Sequence, residues 1–223
     1  MNFPSNKQEA APCLICNELV FGHEKALMPP LDWQVRPGEC WAITGENGCG
    51  KTTLLKTILG FIKPIGGQIE MTRNCAYVAQ VPEYTDIIPA RIRDVVSQGL
   101  ESRLSFLVPF YAWRKRADVD AALAQFELTN IQKRDISHVS VGQKQRAFLA
   151  KAFVRKPKLI VLDEATSAMD PKHAKEAFSL LAELVKSRNC AVIAVSHSLD
   201  LHLESMTHIL EFTDDGFRES ANG

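Results

Sequence analysis

One stretch, Gly45-Glu46-Asn47-Gly48-Cys49-Gly50-Lys51-Thr52, carries the clearest chemistry in the chain. Gly45, Gly48 and Gly50 lack the Cβ that would stop a backbone from turning sharply against a ligand. Successive N–H groups in such a turn point into one concavity, which suits an anion. The spacing G-x-x-x-x-G-K-T is that of a phosphate-binding loop, or Walker A motif. In that motif Lys51 reaches the β- and γ-phosphates of a nucleotide and the Thr52 hydroxyl binds Mg²⁺. A glycine-rich turn that binds nothing is the competing reading, and the flanks argue against it. Cys40-Trp41-Ala42-Ile43 before the loop reads as a buried strand, and Thr53-Leu54-Leu55-Lys56-Thr57-Ile58-Leu59 after it reads as a helix. The start of that helix adds its positive end to the anion site. Cys49 lies beside Lys51 within the loop. A loop filler is the plainer reading of it, and an oxidation-sensitive thiol the other.

A second constellation lies farther along. Leu159-Ile160-Val161-Leu162 is wholly apolar and ends in Asp163-Glu164. An acidic pair capping a strand is often structural. Downstream of a phosphate loop it gains two tasks. Asp163 helps to hold Mg²⁺, and Glu164 polarises the attacking water as a general base. Two more apolar runs, Cys75 to Ala79 and Cys190 to Val195, end at Gln80 and at Ser196-His197. Ligands of open α/β sheets bind at the carboxyl ends of strands. Gly45, Gln80, Asp163 and His197 each follow such an end, so they are expected to converge.

Val139-Ser140-Val141-Gly142-Gln143-Lys144-Gln145-Arg146 precedes a helix rich in Ala and Phe. Ser140 and Gln143 satisfy a capping box, S-x-x-Q, and a capped helix start is also a phosphate site. The stretch resembles the L-S-G-G-Q signature of the ATP-binding cassette (ABC) ATPases. With the Walker motifs, the resemblance runs from about Cys13 to Phe212. It implies an ATPase subunit of a transporter, with ATP and Mg²⁺ as cofactors. The nucleotide contacts that it implies are Phe21, stacked on adenine, then Gly45, Glu46, Asn47, Gly48, Cys49, Gly50, Lys51, Thr52 and Thr53. Gln80 matches the Q-loop glutamine, which in the family reaches Mg²⁺ and the attacking water. Ser167-Ala168-Met169-Asp170 resembles the D-loop, and His197 matches the switch histidine that contacts the γ-phosphate. The implied catalytic set is Glu164, His197, Gln80 and Lys51, and the implied metal set is Thr52, Gln80 and Asp163. On sequence alone Phe21 and His197 each also fit a core position.

The family works as a head-to-tail dimer. Ser140 and Gly142 of one copy would complete the site of the other, in an ATP-dependent homodimer or with a second ABC subunit; Gln143 and Asp170 join the implied nucleotide contacts. Separate transmembrane permease subunits would be driven through a surface near Val81 to Val96. Two positions depart from the usual pattern. Val141 stands where the family usually has Gly, and Ala165 where it usually has Pro. Neither change removes a group that performs chemistry.

The elements that must position these groups follow from hydrophobic period. Cys13 to Phe21, Leu31 to Val35, Gln68 to Met71 and Cys75 to Ala79 read as strands. His208 to Phe212 and Phe217 to Glu219 read as a hairpin around Asp214-Asp215-Gly216. Arg91 to Gln98, Asp118 to Leu128 and Pro171 to Lys186 have helical spacing, the last with Pro at its first turn. Strand-like runs stop from Val81 to Val139. The expected fold is α/β: a P-loop NTPase core with a mostly parallel sheet, an N-terminal antiparallel β part and an inserted α-helical subdomain. The expected bounds are one ABC ATPase domain, with a disordered lead-in over 1–12, the nucleotide-binding core over 13–80 and 155–223, and the helical signature subdomain over 81–154.

Composition excludes several classes. The chain has 223 residues, 46% hydrophobic, enough for one domain with a sizeable core. Its 26 basic and 26 acidic residues cancel, so no bulk attraction to nucleic acid or anionic membrane is implied. Arg114-Lys115-Arg116 reads as a solvated face, and no nucleic-acid partner is expected. No apolar run approaches the ~20 residues of a membrane-spanning helix, and Met1 to Pro12 is too polar for a secretory signal. The six cysteines read as reduced thiols. Cys13-Leu14-Ile15-Cys16 has no second pair to complete a zinc site. The expected place is cytoplasmic, peripheral on the inner face of the cell membrane through the permease. A non-transport ABC protein on ribosomes or DNA is disfavoured by the single cassette and the short helical insert. A regulatory module without turnover is disfavoured by Lys51, Asp163, Glu164 and His197. The run Ile92 to Gly99 resembles importers of metal ions and metal chelates, by analogy; the cargo and the direction of transport stay open.

Overall fold

Strands that are apolar throughout need cover on both faces, and this chain supplies two different layers. The computed structural model describes residues 10–79, 89–100, 111–164, 171–195 and 203–222. Among them the order is β1 (Leu14–Val20), β2 (Leu31–Val35), β3 (Cys40–Thr44), α1 (Lys51–Ile58), β4 (Gly66–Met71), β5 (Cys75–Val78), α2 (Ile92–Gln98), α3 (Tyr111–Gln125), α4 (Val141–Phe153), β6 (Leu159–Asp163), α5 (Pro171–Arg188), β7 (Ala191–Val195), β8 (His208–Thr213) and β9 (Gly216–Ala221). The larger sheet has the order β5-β6-β7-β3-β8-β9, and β2-β1-β4 forms a separate antiparallel sheet. In the larger sheet only the terminal hairpin partner β9 runs antiparallel. The mostly parallel core and the antiparallel N-terminal part therefore appear as expected. The expected lead-in lies largely outside the described residues.

Side chains of a strand alternate between faces, and the two faces meet different layers. Ala42, Ile160, Leu162, Val192 and Ala194 pack with helices α2 to α5. Trp41, Ile43, Val161, Ile193 and Val195 pack with α1 and the antiparallel sheet. Register aligns the site. Ile43 lies opposite Val195, and Val195 opposite Asp163, so three strands end in one row. At ~4.8 Å between neighbouring strands, Asp163 stands about 10 Å across the sheet from the end of β3.

Two helix ends differ from the pattern reading. α3 begins at Tyr111 rather than Asp118. Ala112, Arg114, Lys115 and Arg116 favour a helix by propensity even without an apolar stripe. Its far end stops before Leu128, because Glu127 takes a left-handed φ of 56°. The Glu127 N–H donates to the Ala124 carbonyl and the Leu128 N–H to the Leu123 carbonyl, 3.1 and 2.7 Å. That is a Schellman ending, sealed by the buried Leu123 and Leu128. The signature helix α4 opens as its capping box predicts. Ser140 Oγ accepts from the Gln143 N–H at 3.3 Å, and Gln143 Oε1 accepts from the Ser140 N–H at 3.1 Å.

Strand β1 carries a bulge, its register shifting between Cys16 and Leu19 against β2 and between Asn17 and Val20 against β4. Gly67 meets it with φ 76°, and a Cβ there would stand 2.2 Å from the Glu18 carbonyl oxygen. Gly67→Ala should therefore cost roughly 3 kcal/mol, near the upper end of ordinary single substitutions. Urea denaturation checks this: the midpoint should fall, and an unchanged midpoint would show that the bulge yields freely.

Candidate functional site

Strand β3 delivers the chain into the phosphate loop, and α1 carries it away. Leu54, Leu55 and Ile58 of α1 are buried against the sheet, which fixes where the helix starts. Gly50 caps that start with φ 111°, a conformation in which a side chain would be strained. At the other end of the loop, a Cβ on Gly45 would come within 2.7 Å of Phe212 Cβ. Lys51 is only 7% exposed. A buried ammonium needs partners, and the loop supplies them. Lys51 Nζ donates to the Gly45 carbonyl at 2.7 Å and the Glu46 carbonyl at 2.6 Å, and lies 3.7 Å from Cys49 Sγ.

The second half of the site comes from β6. Asp163 is its last residue and is nearly buried. Oδ1 accepts from the Thr52 hydroxyl at 3.3 Å, and Oδ2 accepts from the Tyr77 hydroxyl at 3.2 Å. Burial first, and then the Asp163 charge, push the Tyr77 phenol up to about 12, so it stays a donor near neutral pH. Glu164 turns the chain out of the strand with φ 54°, and its N–H donates to the Val195 carbonyl at 2.9 Å. The result is a cleft of about 290 Å³ lined by Asn47, Gly48, Gly50, Lys51, Thr52, Thr53, Glu164 and Val195. The fold thus brings together the loop, the Thr52–Asp163 pair and Glu164. Sequence reading missed Tyr77; its only signal was a polar tip on the strand that leads to Gln80.

Three expected residues, Gln80, Asp170 and His197, lie outside the described residues. Phe21 is completely buried, with ring centroids 6.2 Å from Phe212 and 6.1 Å from Phe217. The β8–β9 hairpin brings those two rings against it. Among the described residues Ser140, Gly142 and Gln143 do not line the cleft. Val141 is 48% exposed, so its side chain points away from the core in the single chain.

The buried cysteines fit inert thiols. Cys13 Sγ donates to the Lys158 carbonyl at 3.2 Å, and burial pushes Cys16 and Cys40 up to about 12. Among the described residues no three His, Cys, Asp or Glu side chains gather as a metal cage. A Mg²⁺ site needs none, because that ion keeps several waters and takes one or two carboxylates beside phosphate oxygens.

The profile of the ABC transporter family matches residues 28–167. The chain belongs to the ABC transporter family. It is similar to the zinc uptake system ATP-binding protein ZurA of Listeria monocytogenes, 31% identical over 191 residues that span 81% of this chain and 74% of that protein. It is 33% identical over 177 residues to the molybdate import ATP-binding protein MolC of Haemophilus influenzae, covering 78% of this chain and 68% of that one. A solved chain described as from an inward-facing transporter of metal-chelate type superposes with a TM-score of 0.83 at 28% identity, covering 95% of this chain and 84% of that one. The chain is thus an ABC ATPase, the ATP-binding motor subunit of a transporter. No helix among the described residues is long and apolar enough to cross a membrane.

Cys49 and Cys75 are partly exposed, whereas the other four thiols are buried, and burial holds Cys75 up at about 11. Brief alkylation of the native protein at pH 8 should therefore modify Cys49 first, read by peptide mass spectrometry. Cys16 and Cys40 should react only after unfolding; early labelling of either would show that their strands open.

Proposed function

We propose that this ABC ATPase hydrolyses ATP with Mg²⁺ held by Thr52, Asp163 and Gln80, in a head-to-tail dimer that drives import of a metal-bearing solute. The observation that supports the metal site is the Thr52 hydroxyl against the Asp163 carboxylate, beneath the phosphate loop. Both are hard oxygen donors of the kind Mg²⁺ takes. When bound, Mg²⁺ neutralises charge on the β- and γ-phosphates.

The chain's own groups supply the rest. Lys51 exchanges the Gly45 and Glu46 carbonyls for phosphate oxygens. The loop N–H groups and the start of α1 cradle the phosphates. Glu164, on the same cleft, orients the attacking water and takes its proton. Gln80 and His197 are assigned to the water and the γ-phosphate by their match to the family motifs. Ser140, Gly142, Gln143 and Asp170 are assigned to the cleft of a second copy or a second ABC subunit. Supporting this, the capped start of α4 is exposed and lies apart from its own cleft. Helices α2, α3 and α4 pack on one another, which supports reading 81–154 as the helical part beside a nucleotide-binding core. The names of the relatives, zinc uptake and molybdate import, support the cargo class and a place against separate permease subunits on the inner face of the membrane.

Removal of the base tests the cycle. Glu164→Gln should slow hydrolysis by about 10²–10⁴-fold and trap bound ATP. Sedimentation should then show monomer without nucleotide and dimer with Mg-ATP. A variant that binds ATP yet stays monomeric would overturn the self-sufficient dimer. For the cargo, elemental analysis of cells lacking the gene should show less zinc or molybdenum, and unchanged contents would overturn that assignment.

A further inference from the structure

We propose that Tyr77 is a positioning residue: its hydroxyl fixes the Asp163 carboxylate and thereby sets the affinity of the site for its divalent cation. The proposal rests on the reading of Asp163 and Thr52 as metal-holding residues.

The geometry is specific to tyrosine. Strands β5 and β6 are parallel, with Tyr77 opposite Val161. Asp163 is two residues farther along on the same face of the sheet, about 6.6 Å at ~3.3 Å per residue. A phenol spans that distance, whereas a serine or threonine hydroxyl falls short. Phenylalanine has the ring but lacks the oxygen. The ring also meets the largely exposed Phe61 edge-on, with centroids 5.7 Å apart and planes at 63°, a contact that does not involve the hydroxyl.

Each carboxylate oxygen therefore takes a hydroxyl from a different element: Oδ1 from Thr52 on α1 and Oδ2 from Tyr77 on β5. Two donors on two oxygens restrict rotation of the carboxylate about its Cβ–Cγ bond. Thr52 belongs to the phosphate loop and can offer a lone pair to a cation while its proton stays on Asp163. Neither Tyr77 nor Asp163 is among the residues lining the phosphate cleft; Thr52, the other partner of the carboxylate, is. At 3.2 and 3.3 Å both contacts are somewhat longer than the usual O–H···O range. Partners that orient a metal-binding group from outside typically change metal affinity 10- to 100-fold.

Mn²⁺ binding to the full chain in the presence of a non-hydrolysable ATP analogue, followed by electron paramagnetic resonance, tests this. Tyr77→Phe should weaken Mn²⁺ about tenfold while leaving metal-free binding of the analogue unchanged. Phe61→Ala, which removes the ring contact and keeps the hydroxyl, should leave Mn²⁺ affinity near that of the unaltered chain. Asp163→Asn should lose Mn²⁺ affinity outright. If Asp163→Asn weakens Mn²⁺ and Tyr77→Phe does not, the Tyr77 role is overturned and the metal site stands. If neither substitution matters, the metal reading itself fails. Equal losses in Tyr77→Phe and Phe61→Ala, or a parallel loss of metal-free analogue binding in Tyr77→Phe, would assign the effect to packing and also overturn the proposal.

Discussion

Everything at the site depends on the parallel register of β3, β7 and β6. Ile43, Val195 and Asp163 fall in one row across those strands. Their apolar runs are buried on both faces, with alternate residues in two separate clusters. A slip of one residue would send each side chain to the opposite face and would carry Asp163 away from Thr52. Register is therefore held by both layers at once, helices on one side and α1 with the antiparallel sheet on the other. The meeting of Asp163 with Thr52 is a by-product of that packing. The acidic pair has only to follow the last buried residue of β6.

The phosphate loop solves a second problem, the burial of a positive charge. An ammonium removed from water is costly unless hydrogen-bonded. Lys51 meets the carbonyls of Gly45 and Glu46, so the loop is braced by the charge that it buries. Asp163 shows the same economy with the opposite sign, taking hydroxyls from Thr52 and Tyr77. The two charged groups thus organise their surroundings through neutral partners rather than through a direct ion pair. A tight Lys–Asp pair would have to be broken before either group met a ligand. Hydroxyls and carbonyls can remain or be exchanged at smaller cost.

Membership of the ABC transporter family agrees with this arrangement. The signature helix shows how one local motif serves two ends. Ser140 and Gln143 satisfy each other's backbone N–H groups, which stabilises the helix start. The same start presents donors outward, and Val141 lies at the surface beside it.

Much of this was legible along the chain, because it rests on local pattern. Leu31–Val35 alternates buried and exposed residues in the structure as its sequence alternates apolar and polar ones. The wholly apolar runs at β6 and β7, the glycine loop before α1 and the S-x-x-Q box before α4 are likewise decided within a few neighbours. Three features escaped that kind of reading. Phe21 is buried because Phe212 and Phe217 return to it from the far end of the chain. Helix α3 starts early because propensity can extend a helix beyond its apolar stripe. Tyr77 meets Asp163 because β5 and β6, distant in sequence, pair in one register. Residue type and spacing state which groups are chemically able to act. Which of them actually meet is set by contacts between remote segments, and no local period records those.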